Sequence, residues 1–304
     1  MSSDKTICYN LKTALENPTA ITKLDLHFKE LKEIPKEISQ LTNLEELYIW
    51  NNKISILPDF LFELKNLRKI DMSGNDISTI PSAIEKLENL EIFILSWNKI
   101  TAIPKEIGNL KSLKILGLSN NLIQKLPEEI GNLKTLEELI ICENVLESLP
   151  DSIGKLENLK ILNACGGYIK SLPNSIGALQ KLEKLEVHQN HLASLPKEIG
   201  DLKKLEKFRA YSNLLISLPD SICELSNLKK LILFKNELTS LPENIDKLEK
   251  LTDLDLNSNE LETLPDSISN LKNLKSINLG RNSFSKSAKV KAQSLLQHTS
   301  VNWS

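Results

Sequence analysis

The chain has 304 residues, 40% of them hydrophobic and 26% charged, with a formal net charge of −2. Such proportions belong to a soluble globular protein, and the near-neutral balance gives no electrostatic reason to expect nucleic acid or an anionic membrane as the main partner. Aromatic residues make up only 5%, and four cysteines (Cys8, Cys142, Cys165 and Cys223) are too few and too scattered for a disulfide framework.

The opening stretch MSSDKTICYNLKTALENP has no basic region leading into an apolar run, and nowhere do about 18 apolar residues follow one another. The expectation is a cytoplasmic protein without membrane insertion. Removal of an export signal would leave the same sequence and a secreted or surface-exposed product. Within that stretch YNLKTALENP (9–18) reads as a short amphipathic helix, with Leu11, Ala14 and Leu15 turned toward the following residues and Pro18 after its end. Residues 1–20 are assigned to an N-terminal cap.

From residue 21 one phrase repeats. Proline recurs every 23 residues from Pro35 to Pro265, and the phrase is clearest in LKILGLSNNLIQKLPEEIGNLKT (113–135). Twelve such repeats, opening at Ile21 and then at every 23rd residue to Leu274, fill 21–284 as one uninterrupted array, which argues against two domains. In each repeat the x-L-x-L-x segment has the period of a strand. N-x-L then turns the chain, and proline suits the first turn of a short helical or 3₁₀ segment. A single repeat cannot bury its own apolar side, so neighbours must stack and their strands form a parallel sheet. Strands stand about 4.8 Å apart and helical segments about 8–10 Å apart, so the stack should curve with the sheet inside. The asparagine column (52, 75, 98, 121, 144, 190, 213, 236, 259 and 282) is expected to satisfy buried loop backbone groups. Lys29 and Gly167 interrupt it, and Gly167 should loosen the ladder. The tail SKSAKVKAQSLLQHTSVNW (285–303) reads as a helix followed by an extended Val301–Trp303, and 285–304 is assigned to a C-terminal cap.

The phrase L-x-x-L-x-L-x-x-N-x-L resembles the leucine-rich repeat signature over nearly the whole chain. Both ends are similar to the caps of uninterrupted 23-residue bacterial arrays best known from spirochaetes. The resemblance implies an α/β solenoid, a horseshoe with a concave parallel sheet and convex short helical or 3₁₀ segments. It also implies protein–protein interaction, which in the bacterial subgroup includes host targets.

Positions fixed by packing hardly vary between repeats, whereas the solvent-facing strand positions vary freely. Recognition is therefore expected at the third, fifth, seventh and eighth positions. Repeats 4 to 7 place Ile92, Ile94, Trp97, Ile115, Gly117, Ile140, Cys142, Ile161 and Cys165 there, an expected apolar patch. Tyr48 and Trp50 flank it on one side, and His188, Tyr211 and Phe234 on the other. Lys184, Lys207 and Lys230 align at third positions, with Arg209 beside them, a row able to steer an acidic partner. The plainer reading is that β-propensity filled tolerant strand sites with isoleucine.

Cys142, Cys165 and His188 occupy the seventh position of successive repeats. Neighbouring strands put two such cysteines within disulfide range, or let them share a zinc ion with His188. Free thiols acting as small apolar residues are the third reading, and the one preferred. No Walker A, G-x-S-x-G or H-E-x-x-H motif occurs, so no catalysis is expected. Cys223, in PDSICEL, is read as buried and inert. The resulting expectation is a monomeric recognition module for a protein or extended peptide, binding no nucleic acid and needing no cofactor. A zinc or redox-sensitive thiol site is the alternative.

Overall fold

Each repeat holds its apolar residues at fixed places. In 113–135 the buried set is Leu113, Leu116, Leu118, Ile123, Leu126, Ile130 and Leu133, with the Asn121 amide among them. The leucines on either side of the strand and the isoleucine of the following turn cannot cover one another, so they are buried only where the next repeat lies against them. The computed structural model describes residues 7–304. It divides into two compact units, Met1–Val145 and Leu146–Ser304, and each is an α/β solenoid segment.

The first unit opens with α1 (Leu11–Ala14), capped by Asn10, whose side chain accepts the Lys12 and Thr13 N–H groups. The helix is shorter than the 9–18 reading. Ala14 is fully buried, Leu11 and Leu15 only half so, and Pro18 begins a separate 3₁₀ turn, Pro18–Ala20. Six strands follow: β1 (Lys23–Asp25), β2 (Glu46–Tyr48), β3 (Lys69–Asp71), β4 (Ile92–Ile94), β5 (Ile115–Gly117) and β6 (Glu138–Ile140). They pair in order, all parallel, each residue facing the one 23 later. The free edge of β1 is met by Cys8, whose N–H donates to Lys23 O at 3.0 Å and whose carbonyl accepts Asp25 N–H at 2.8 Å.

The second unit holds β7 (Ile161–Asn163), β8 (Lys184–Glu186), β9 (Lys207–Arg209), β10 (Lys230–Ile232), β11 (Asp253–Asp255), β12 (Ser276–Asn278) and β13 (Ser300–Asn302), again parallel and in chain order. The tail behaves as read. Ser285 caps α2 (Lys286–Leu295), and the chain then pairs along β12 as β13, with Trp303 edge-on to Phe284 at 5.3 Å.

Between strands run 3₁₀ segments, usually of five residues, such as Lys105–Asn109 and Lys197–Asp201. Proline sits one residue earlier than expected. Pro104 is the cap, extended at φ −69 and ψ 148, and its carbonyl accepts the Ile107 N–H at 3.1 Å. Gly108 and Gly154 are required by close approach: a Cβ on either would collide with the carbonyl oxygen of the next segment, at Glu129 and Ser175 respectively.

The asparagine column works as a set of three-way clasps. Asn121 Nδ2 donates to Leu95 O at 2.9 Å and Leu118 O at 3.0 Å, and its Oδ1 accepts Ile100 N–H at 2.9 Å. Asn213 repeats the arrangement on Val187, Ala210 and Leu192. Where Gly167 replaces asparagine, its backbone N–H still donates to Gln189 O at 3.0 Å, as Asn213 N–H does to Lys235 O at 3.2 Å. Only the backbone bond is kept at that rung, because glycine has no side chain to make the clasp. Substituting Asn121→Ala leaves the buried Ile100 N–H without its acceptor, while Leu95 O and Leu118 O keep the Asn98 and Asn144 donors, and a loss of about 2 kcal/mol is expected. The shift of the urea midpoint measures it.

Candidate functional site

In the first unit the variable strand positions form a face with two chemically distinct parts. At its start His27 stacks flat on Trp50, ring centroids 4.3 Å apart, and Phe28 meets both rings edge-on. Asp25 orients His27 through a 2.6 Å contact to Nδ1. Beside them Tyr48 donates to Glu46 Oε2 at 2.7 Å, Lys23 pairs with Glu46 at 3.0 Å, and Lys69 lies over the Tyr48 ring. Burial pushes the Glu46 carboxyl up, but the Tyr48 and Lys23 hydrogen bonds and the nearby lysines outweigh it and hold it below its ordinary value. Burial, and then the Glu46 acceptor, raise the Tyr48 hydroxyl, which stays a donor.

Further along the same unit Ile92 faces Ile115, and Gly117 lies between Ile94 and Ile140. Ile94 leans toward the space above Gly117, where a Cβ would stand 3.2 Å from its Cγ2. These isoleucines are half-buried. Ile115 is next to Glu138, so a carboxylate breaks the third-position stripe that the sequence reading took as apolar. Trp97 follows β4 and is 65% exposed. Its backbone is left-handed, φ 59, as at the equivalent Asn51, Asn120 and Glu143. Asparagine tolerates that conformation; a bulky aromatic there costs about 1 kcal/mol. Phe28, 63% exposed at φ 50, is the second case and was missed by the sequence reading. Its place at the eighth position of the first repeat was the available signal.

In the second unit His188, Tyr211 and Phe234 form a continuous stack, centroids 4.2 Å apart at both steps. Each ring covers the next, so His188 is buried rather than solvent-facing as expected. Its Nδ1 has no hydrogen-bond partner. Burial lowers its pKa; Glu186 opposes this, and Arg209 and Lys207 add to it. Lys207 and Arg209 both reach Glu186 Oε1, at 3.1 and 3.4 Å. Lys184 is exposed, and Ile161 half-buried. Outside this face, at the tenth position, where other repeats carry Glu30, Lys53, Asp76, Lys99, Glu237 and Glu260, the second unit exposes Tyr168, His191 and Leu214. Comparison of that column would have revealed the substitution.

The cysteines correct the preferred reading. Cys142 and Cys165 are disulfide-bonded and buried, not free thiols. So bonded, their sulfurs offer no thiolate for the zinc alternative with His188. Among the described residues no group of three or more His, Cys, Asp or Glu side chains is placed to hold a metal ion. Cys223 is free and buried in the crowded column that Gly108 and Gly154 also occupy, and burial pushes its thiol up to about 11. Cys8 is free and half-buried. No helix among the described residues is long and apolar enough to cross a membrane.

Three family models match: "Leucine-rich repeat region" over 101–211, "Leucine Rich repeats (2 copies)" over 42–86 and "Leucine rich repeat" over 226–284. The chain is a leucine-rich repeat protein. Among solved structures, a leucine-rich repeat protein of Leptospira interrogans is 29% identical, covering 98% of this chain and 100% of that one at a TM-score of 0.64. The plant peptide hormone receptor RGFR1 in complex with RGF2 is also 29% identical, over 91% of this chain and 50% of that one, at a TM-score of 0.76. An internalin of Listeria monocytogenes shares the fold at 22% identity, covering 95% and 88%, with a TM-score of 0.74. The curated proteins contain no sequence match.

Two outcomes follow from this leucine-rich repeat chemistry. Alkylation of the native, unreduced protein is expected to modify Cys8 ahead of Cys223 and to leave Cys142 and Cys165 untouched until reductant and denaturant are added; peptide mass mapping reads this directly. Because the folded His188 titrates below its ordinary value of 6.5, the unfolded chain binds its proton first, and stability falls as pH drops through that range. His188→Phe keeps the stack and removes the step, so its urea midpoint should fall less than that of the wild type between about pH 7 and about pH 5.

Proposed function

We propose that this chain recognises a protein or extended peptide through its variable strand face, and that it carries out no catalysis. The observation that carries the reading is Trp97. This tryptophan is 65% exposed and held in a left-handed backbone just beyond β4, in the same unit as the half-buried Ile92, Ile94, Ile115 and Ile140 of the strand face. Exposed aromatic anchors beside an apolar floor are what a protein interface uses. A solved structural relative, the plant receptor, is a peptide hormone receptor in complex with RGF2, and the Leptospira relative matches along its whole length. The sites proposed are Tyr48, Trp50, Ile92, Ile94, Trp97, Ile115, Ile140 and Cys142 in the first unit, and Ile161, Cys165, His188, Arg209, Tyr211 and Phe234 in the second. Cys142, Cys165 and His188 are buried there and support the face rather than present it. The proposed caps of a repeat array over 21–284 are 1–20, of which residues 1–6 lie outside the described residues, and 285–304, and the proposed working form is a monomer.

The test places a photo-crosslinking residue at Ile115, on the face, or at Lys105, in a 3₁₀ segment, and compares adducts. A partner recovered from Ile115 alone is then titrated against Trp97→Ala with Ile115→Asp. Loss of at least about tenfold in affinity is expected. A partner that crosslinks equally from Lys105, or binds the double substitution unchanged, removes the strand face as the site.

A further inference from the structure

The chain as a whole is slightly acidic, yet the face over β8–β10 is not. At the third, fifth, seventh and eighth positions of these repeats stand Lys184, Lys207, Lys230, Arg209 and Lys235, against the single carboxylate Glu186. One oxygen of Glu186 serves both Lys207 and Arg209, so the local balance stays positive. Lys230 reaches Asp253 only at 3.6 Å, and that carboxylate already accepts from Thr252 and Ser276. Lys184 and Lys235 are exposed and join no ion pair among the described residues. At the border Glu206 is held by Lys229 at 2.8 Å, and Glu183 is exposed. Parallel to the lysine row, four residues further along each repeat and two beyond each strand, runs the aromatic column of His188, Tyr211 and Phe234.

The third and fifth positions are separated by two strand residues, about 6.6 Å, and the seventh stands two residues beyond the strand. An extended polypeptide lying along the fifth-position column, over Arg209 and Ile232, sends alternate side chains to opposite sides. One set reaches the lysine row and the other the aromatic column. We propose that this face takes an acidic extended segment in which carboxylate and apolar side chains alternate. The proposal rests on the recognition reading above and names the chemistry of the partner. Asp253 and Asp255 on β11 repel such a segment and mark where it ends.

The test uses the full chain and a fluorescein-labelled peptide alternating glutamate and leucine, with end groups blocked. A lysine–leucine peptide and a short single-stranded oligothymidylate are the comparators. Fluorescence anisotropy should show the acidic peptide binding at least about tenfold more tightly than the basic one, and weakening as salt rises from about 50 to about 500 mM. Lys184→Glu with Lys235→Glu, both exposed positions, should lower acidic-peptide affinity by at least about tenfold and raise affinity for the basic peptide. The circular dichroism spectrum confirms that this variant is folded. Equal binding of both peptides, no binding of either, no effect of the reversal, or tighter oligothymidylate binding each overturns the proposal. The first-unit pair Trp97→Ala with Ile115→Asp separates the two readings. If an identified partner is lost there while the acidic peptide is indifferent to the lysine reversal, strand-face recognition survives and the acidic-segment proposal does not.

Discussion

Every repeat must bury the polar backbone of its own turn, and the asparagine clasp is what makes this tolerable. Asn98, Asn121 and Asn144 each donate to two carbonyls at 3.0 Å or less and to a third at 3.2–3.3 Å, and accept one N–H, tying backbone positions across two repeats. The groups paired at 3.0 Å or less are buried, where an unmet hydrogen bond is costly. Because the clasp reaches exactly one repeat back, an insertion would break it. The strict 23-residue spacing and the strand register are two expressions of this single constraint.

That constraint divides each repeat into residues with no freedom and residues with a great deal. The leucines at either side of the strand are buried and interchangeable between repeats. The third, fifth and eighth positions, apart from the buried Gly117, are half-buried or exposed, and their chemistry drifts along each unit. In the first unit it moves from an aromatic and carboxylate cluster around Trp50 to an isoleucine floor around Gly117. In the second it moves from the lysine row to the aspartates of β11. The left-handed eighth position sharpens the point, because Phe28 and Trp97 sit there against both conformational preference and solvation.

The seventh position follows a different rule. Its side chains stand over one another at the spacing of the strands, so a flat ring buries its neighbour. His188 loses water by being covered with Tyr211, and its lowered pKa is a consequence of stacking rather than of any designed proton chemistry. Disulfide bonding takes Cys142 and Cys165 out of the thiol chemistry that their column suggested.

Periodicity alone was enough to place the strands, the turns, the asparagine clasp and the helical tail, because each depends on spacing along the chain. It also pointed to Trp97, Ile92, Ile94 and the lysine row, since their positions within the repeat set which way they face. It failed where the outcome depends on what a neighbouring strand does. The burial of His188 and the packing of Phe28 on Trp50 belong to that class. So does the place of proline, one residue outside the turn it caps, which hydrogen-bond geometry sets. Sequence spacing thus determined which residues share a column, but only the packed sheet decided which of them meet water, because exposure is a property of the neighbour's side chain and not of one's own.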